Sequence, residues 1–117
     1  MSVGAVKAVE IGAGCESAGM TGSANNDPIG SKGFESNNAG GILAGISNGN
    51  DIVARAWVKP IPSIEKTVKT LDLDGNETET STTGRHDICA IPRINPVLKA
   101  MMQLTIADHF LRQKALL

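Results

Sequence analysis

The mostly apolar residues 3–11, VGAVKAVEI, read as a strand in which Val6, Ala8 and Glu10 alternate with Ala5, Lys7 and Val9. A period of two predicts a strand. It begins almost at the first residue with no turn or cap before it, the pattern expected of a chain cut at a domain boundary, with a natural short start as the alternative. Alternation returns at residues 51–59, DIVARAWVK, where Ile52, Ala54, Ala56 and Val58 oppose Val53, Arg55 and Trp57, and a second strand is expected there. Before it, the short apolar stretch 40–47, GGILAGIS, runs into Asn48-Gly49. Both of those residues tolerate positive φ, so a hairpin turn is expected at that pair. Lys59-Pro60-Ile61-Pro62-Ser63 must leave the sheet, because two prolines remove two backbone donors. A further hairpin is predicted from TVKTLDL through Asp74-Gly75-Asn76 to ETETST, and its alternating threonines and charges require at least one solvated face.

Two segments break the strand pattern. Residues 12–35 are small and polar without periodicity, and they exceed the ~12–15 residues usual for a structureless connection, so a functional or flexible loop is expected. At the other end, Asn95 can cap a helix and Pro96 suits a first helical position, which predicts a helix over about 95–114. Its apolar residues fall at 97, 98, 100, 101, 102, 104, 106, 107, 110 and 111, covering nearly the whole circumference. A helix apolar on most sides is buried on most sides, and a few short strands cover only one. The pattern therefore predicts an α+β chain, antiparallel strands and hairpins with a buried C-terminal helix, whose remaining cover comes from other protein.

Composition adds exclusions. The formal net charge of -1 over 117 residues offers no basic face for nucleic acid. No stretch approaches the roughly 20 apolar residues of a membrane span, and the first residues lack the basic and apolar regions of a signal peptide. Two cysteines, Cys15 and Cys89, make neither a disulfide framework nor a metal site, and a reduced, cytoplasmic setting is the expectation. With no tyrosine, one Trp57 and only Phe34 and Phe110, the core must be built from small aliphatic side chains. The 13 glycines cluster, which points to tight turns and close backbone approaches.

Three segments carry candidate chemistry. The first, SNNAGGILAGISNG at residues 36–49, is neither a Walker A loop nor a GxGxxG fingerprint, and close packing accounts for its small residues as well as ligand approach does. The second, residues 59–63, is a rigid extended turn that can present the Lys59 cation and the Ser63 hydroxyl to a phosphate or carbonyl; it also fits a strand end with a solvated lysine. The third is Gly84-Arg85-His86-Asp87. Arginine offers a planar fork for carboxylate or phosphate. Asp87, two residues on in an extended segment, would share its side and could serve as a base tuned by that arginine. An exposed Arg85–Asp87 pair with a spectator histidine is the alternative.

AVKAVEIG, SNNAGGILAGISNG, KPIPS, GRHDICAIPR and the terminal helix resemble, in order and spacing, the C-terminal region of chorismate synthase, across essentially all 117 residues. The resemblance implies a fold that places helices between two sheets, and a cytoplasmic enzyme that is usually a homotetramer. The implied activity converts 5-enolpyruvylshikimate 3-phosphate to chorismate and phosphate, a lyase step of the shikimate pathway of aromatic amino-acid biosynthesis. It requires reduced FMN, with NADP as the associated nicotinamide, and the remainder of the enzyme chain as partner. Position by position, the implied flavin contacts are Gly4, Ala5, Ala44, Lys59, Pro60, Ile61, Pro62, Ser63 and Arg85, with Arg85 also near the substrate. Asp87 matches the carboxylate that assists removal of the ring proton near flavin N5. Ala44 stands where glycine is frequent, which relaxes a close backbone approach there, and Gly4 where some relatives carry asparagine, so only a backbone contact transfers at Gly4. The family's two catalytic histidines and phosphate-binding arginines belong to its N-terminal two-thirds, and neither His86 nor His109 is one of them. Two other classes remain in play: an assembly module that completes a sheet and an oligomer interface, and a standalone phosphate-binding module resting on Lys59, Arg85 and glycine.

Overall fold

A computed structural model of the chain describes all of residues 1–117. The architecture is α+β, with four separate two-stranded antiparallel sheets and one long helix. The chain separates into two compact units, Met1–Val58 and Lys59–Leu117.

In the first unit, β1 (Val6–Ile11) pairs antiparallel with β6 (Ala54–Val58). The register runs Val6↔Val58, then Ala8↔Trp57, so Lys7 is the extra residue of a bulge. A turn precedes β1, contrary to the sequence reading: the Val6 amide donates to the Val3 carbonyl at 3.2 Å, and Ala5 has φ of 69°. Two hairpins of two-residue strands follow, β2 (Ile29–Gly30) with β3 (Gly33–Phe34) and β4 (Ile42–Leu43) with β5 (Ile46–Ser47). Residues 12–35 are not structureless. They contain a 3-10 helix, Gly14–Gly19, the one-turn helix α1 (Gly22–Asn25), capped by the Thr21 side chain, and the β2–β3 pair.

The hairpin turn of the glycine-rich segment lies at Ala44-Gly45 rather than at Asn48-Gly49. Both central residues have positive φ, 50° and 79°, as a type I′ turn requires. Asn48 serves differently. Its side-chain oxygen accepts from the Asn50 amide at 3.0 Å, bending the chain toward β6.

Hydrophobic burial in this unit is slight, with Val6 and Ala13 the only buried apolar side chains of the whole chain. Backbone contact takes its place. Gly12 donates to Val53 O at 2.9 Å, Ala13 to Asn38 O at 2.8 Å, and Val53 to Gly40 O at 3.1 Å. Gly12 and Gly40 lie back to back: a methyl on Gly12 would overlap the Asn38 carbonyl oxygen, and one on Gly40 the Gly12 nitrogen. The clustered glycines are therefore a packing device. Arg55 closes the arrangement by donating from Nη1 to Gly12 O at 2.6 Å.

The second unit opens with the extended segment 59–63, which leaves the sheet at Val58 as the prolines dictate. The hairpin of β7 (Val68–Leu71) and β8 (Glu77–Thr80) follows, with all eight strand residues exposed. Asp72 ties its turn, accepting from the Asn76 amide at 2.8 Å and the Asp74 amide at 2.9 Å. The helix α2 runs Ile91–Ala115, five residues longer at its start than the Asn95-Pro96 signal suggests. Pro92 occupies its first turn, where a missing N–H leaves nothing unmade, and Ala90 is the cap residue. Pro96 is then interior and removes the bond its amide would make to the Pro92 carbonyl, a defect of about 3 kcal/mol in a free helix. Arg112 and Lys114 in the last turn complement the helix dipole. No residue of α2 is buried within the chain: Leu98 and Met102 are half-buried, while Leu104, Phe110 and Leu111 are exposed. The side that strands were expected to cover is thus open too. No helix is long and apolar enough to cross a membrane.

Candidate functional site

Within the second unit, two segments that the sequence singles out meet at an open cleft of about 400 Å³. Ile61, Ser63, Ile64 and Glu65 contribute from the proline-rich side, and Gly84, His86, Asp87 and Ile88 from the other. The prolines hold the first segment extended and free of any ladder, which leaves the Ser63 hydroxyl available. Gly84, at φ of 120°, turns the chain where a side chain would be strained and begins the Arg85-His86-Asp87 run. The cleft combines three isoleucines, a hydroxyl, an imidazole and two carboxylates. It offers an apolar platform with polar groups at its edge, the usual make-up of a small-molecule site.

Of the expected contacts, Ile61, Ser63 and Asp87 line this cleft, whereas Lys59, Pro60, Pro62 and Arg85 do not. Lys59 and Arg85 are exposed, and neither forms an ion pair. The Arg85–Asp87 pair of the alternative reading is not formed. Asp87 Oδ2 accepts instead from Arg93 Nη1 at 2.9 Å. The reason is local geometry: the chain turns between Asp87 and the start of α2, bringing the helix's first turn back beside the carboxylate. His86, read as a spectator, is half-buried in the cleft, with Nε2 3.4 Å from the Thr82 carbonyl.

Gly4, Ala5 and Ala44 belong to the first unit. Ala5 and Ala44 are the only non-glycine residues of the chain with positive φ. That conformation is unfavourable for an alanine, and such outliers gather where backbone shape serves a site.

Sequence reading passed over one further polar centre. Asp27 accepts from the Ser36 hydroxyl at 2.6 Å, the Asn38 amide at 2.7 Å and the Ala39 amide at 2.9 Å. The Ser36 hydroxyl first, then the Ala39 and Asn38 amides, hold its carboxyl below the usual 3.8. Asp27 thus pins the 12–35 segment to the glycine-rich one, and Asn37 extends the frame to Asp51 O at 2.9 Å and from the Gly41 amide at 2.8 Å. The missed signal was an aspartate before a proline, nine residues upstream of Ser36-Asn37-Asn38. Near Cys15, the Glu10 carboxylate raises the thiol's pKa by hydrogen bond and by charge, which makes it a poor nucleophile.

An α+β chain with an open cleft lined by three isoleucines, two carboxylates, an imidazole and a hydroxyl has the make-up of part of a small-molecule enzyme site. Comparison with known proteins makes this specific. The family model described as chorismate synthase matches residues 1–111. A chorismate synthase of Maridesulfovibrio salexigens is 65% identical over 114 residues, covering 97% of this chain and 33% of that protein. A second, from Desulfosudis oleivorans, is 66% identical over 116 residues, covering 99% and 33%. A solved structure titled as a crystal structure of chorismate synthase is 50% identical, with a TM-score of 0.49 over 54% of this chain and 20% of the other. The chain belongs to the chorismate synthase family. It spans about a third of the length of the curated relatives it matches.

Proposed function

We propose that this chain supplies the flavin-side part of a chorismate synthase, the C-terminal portion of a cytoplasmic, homotetrameric enzyme acting on 5-enolpyruvylshikimate 3-phosphate. The observation that carries the reading is the cleft, where Ser63 of the proline-rich segment and Asp87 of the Gly-Arg-His-Asp run line one space. The residues suit reduced FMN: Ile61, Ile64 and Ile88 offer apolar surface to a flat ring, Ser63 a hydroxyl, and the unpaired Lys59 and Arg85 cations for a phosphate. Pro60 and Pro62 keep that edge extended, while the flavin contacts of Gly4, Ala5 and Ala44 are carried by the family resemblance alone. Reduced FMN, when bound, supplies an electron-rich ring that assists departure of phosphate.

The reaction is a 1,4-elimination. A ring C–H bond and the C–O bond to phosphate break, a conjugated diene forms, and no net electrons are gained or lost. The chain's own part concerns the proton. Asp87 as a carboxylate can take or relay it, and Arg85 holds anionic substrate. The two histidines expected of the family come from the remaining two-thirds of the enzyme, so the cleft is half a site.

The test uses the intact enzyme, either the natural full-length product or this chain grafted onto the matching relative from Maridesulfovibrio salexigens. With pre-reduced FMN and saturating substrate, Asp87→Asn should slow the single-turnover rate by roughly 10²–10⁴-fold, the worth of a positioned acid–base group. Flavin and substrate affinity should change little, because an interaction felt only in the transition state leaves ground-state binding alone. An unchanged rate removes Asp87 from the mechanism.

A second reading, an assembly module that binds no ligand by itself, is favoured by α2, whose apolar residues find no cover in the chain. An exposed surface of that kind ordinarily meets another protein surface.

A further inference from the structure

Arg93 has no rationale in the helix that carries it. It stands in the first turn of α2, which contains no acidic residue, and a cation there opposes the positive end of the helix dipole. Its ion pair with Asp87 is open to solvent, the arginine side chain 72% and the aspartate 41% exposed. An exposed pair contributes only ~0–1 kcal/mol, so fold stability does not account for it. Geometry does. The Arg93 amide donates to the Ala90 carbonyl at 3.1 Å, so the arginine springs from ordered helix, whereas Asp87 lies in irregular chain. Arg93 is also the only side chain that holds the Asp87 carboxylate, and it takes Oδ2 alone. Arg85, two residues from Asp87, is left without a carboxylate partner.

We propose that Arg93 is a positioning residue for Asp87: it fixes one carboxylate oxygen from the rigid first turn of α2 so that the other serves the proton transfer in the cleft. The two arginines then divide the work, Arg85 free to hold an anionic ligand and Arg93 committed to orienting the base. This rests on the reading of Asp87 as the proton-handling carboxylate, and the experiment separates the two claims.

In the intact enzyme with pre-reduced FMN, single-turnover rates and the dissociation constants of FMN and substrate are measured for Arg93→Ala, Arg93→Lys, Asp87→Asn and the double variant. Misplacing a catalytic group by about 1 Å slows chemistry by up to roughly 10²-fold, and a loss of about 10–10²-fold is expected for Arg93→Ala. Both dissociation constants should stay within about twofold, as for a contact that matters only in the transition state. Arg93→Lys, which keeps the charge without the fork, should recover part of the rate. Adding Arg93→Ala to Asp87→Asn should slow the reaction no further, since residues acting as a unit are non-additive. An unchanged rate in Arg93→Ala, with Asp87→Asn slow, overturns the positioning role and leaves the Asp87 reading standing. Full additivity in the double variant overturns it as well, because Arg93 would then act on its own. A silent Asp87→Asn removes both claims. Should Arg93→Ala not fold, Arg93→Gln, which keeps most of the stem, carries the same comparison.

Discussion

Gly12→Ala should damage the first unit far more than a methyl added at a glycine with open space around it. Three effects coincide at this position. Gly12 has φ of 60°, and an L-residue held there costs roughly 1–2 kcal/mol. The new methyl would overlap the Asn38 carbonyl oxygen and would lie 2.5 Å from the Gly40 nitrogen and 2.8 Å from the Ala39 carbonyl carbon. All three are backbone atoms, so no side chain can swing away, and overpacking of this kind costs roughly 1–3 kcal/mol. Parting the two segments also stretches the 2.8 Å bond from the Ala13 amide to Asn38 O, whose loss costs about 1 kcal/mol. Together these reach roughly 3–6 kcal/mol, a large share of the 5–15 kcal/mol that holds a domain. Two glycines act as internal standards. Gly49, at φ of 94° with open space around it, should show the conformational part alone, and Gly22, open and without positive φ, almost none. Denaturant midpoints of the intact enzyme, with hydrogen exchange at the Ala13 and Val53 amides as a local readout, measure the series. If Gly12→Ala is no worse than Gly49→Ala, the back-to-back packing of Gly12 and Gly40 is wrong.

The Asp27 frame should make the first unit acid-sensitive. Hydrogen bonds lower the folded carboxyl below its usual 3.8, so its contribution is present above that value and is lost as pH falls through the lower folded value. Asp27→Asn should flatten the stability profile across that acid range, and an unchanged slope would show that the frame does not hold the segment. The 117-residue chain alone should not convert 5-enolpyruvylshikimate 3-phosphate even with reduced FMN supplied, and measurable turnover would refute the half-site argument. Flavin titration of the chain beside the intact enzyme then separates the two proposed roles: weak but saturable binding favours the flavin-side reading, and none the assembly module.

Much of the architecture was legible where local chemistry and tertiary demand agree. The 68–80 hairpin follows from alternating threonines around Asp-Gly-Asn, and the end of β6 at Val58 follows from the prolines after Lys59. Legibility failed where a strong local signal is put to another use. Asn48-Gly49 reads as a hairpin turn, but Asn48 spends its side chain on the Asn50 amide, and the turn falls on Ala44-Gly45 instead. No propensity favours alanine at φ of 50°, so only the register of β4 with β5 reveals it. Asn95-Pro96 fails for the same reason. It has the form of a helix start, but Pro92 supplies an earlier one and the helix runs through the second proline.

At the candidate site one local pairing was misjudged, and the misjudgement is informative. Sequence distance suggested that Asp87 pairs with Arg85, since residues two apart share a side of an extended segment. The chain is not extended there for long enough: it turns into α2, and the arginine six positions ahead becomes the neighbour instead. A single-sequence reading weighs residues by their nearness along the chain, whereas a carboxylate is held by what the next rigid element brings back to it. The misplaced expectation and the proposed positioning role of Arg93 thus rest on one contact. The basic residue in the first turn of α2, unfavourable to the helix dipole and worth little as a surface ion pair, was the sign that this turn serves something other than the helix.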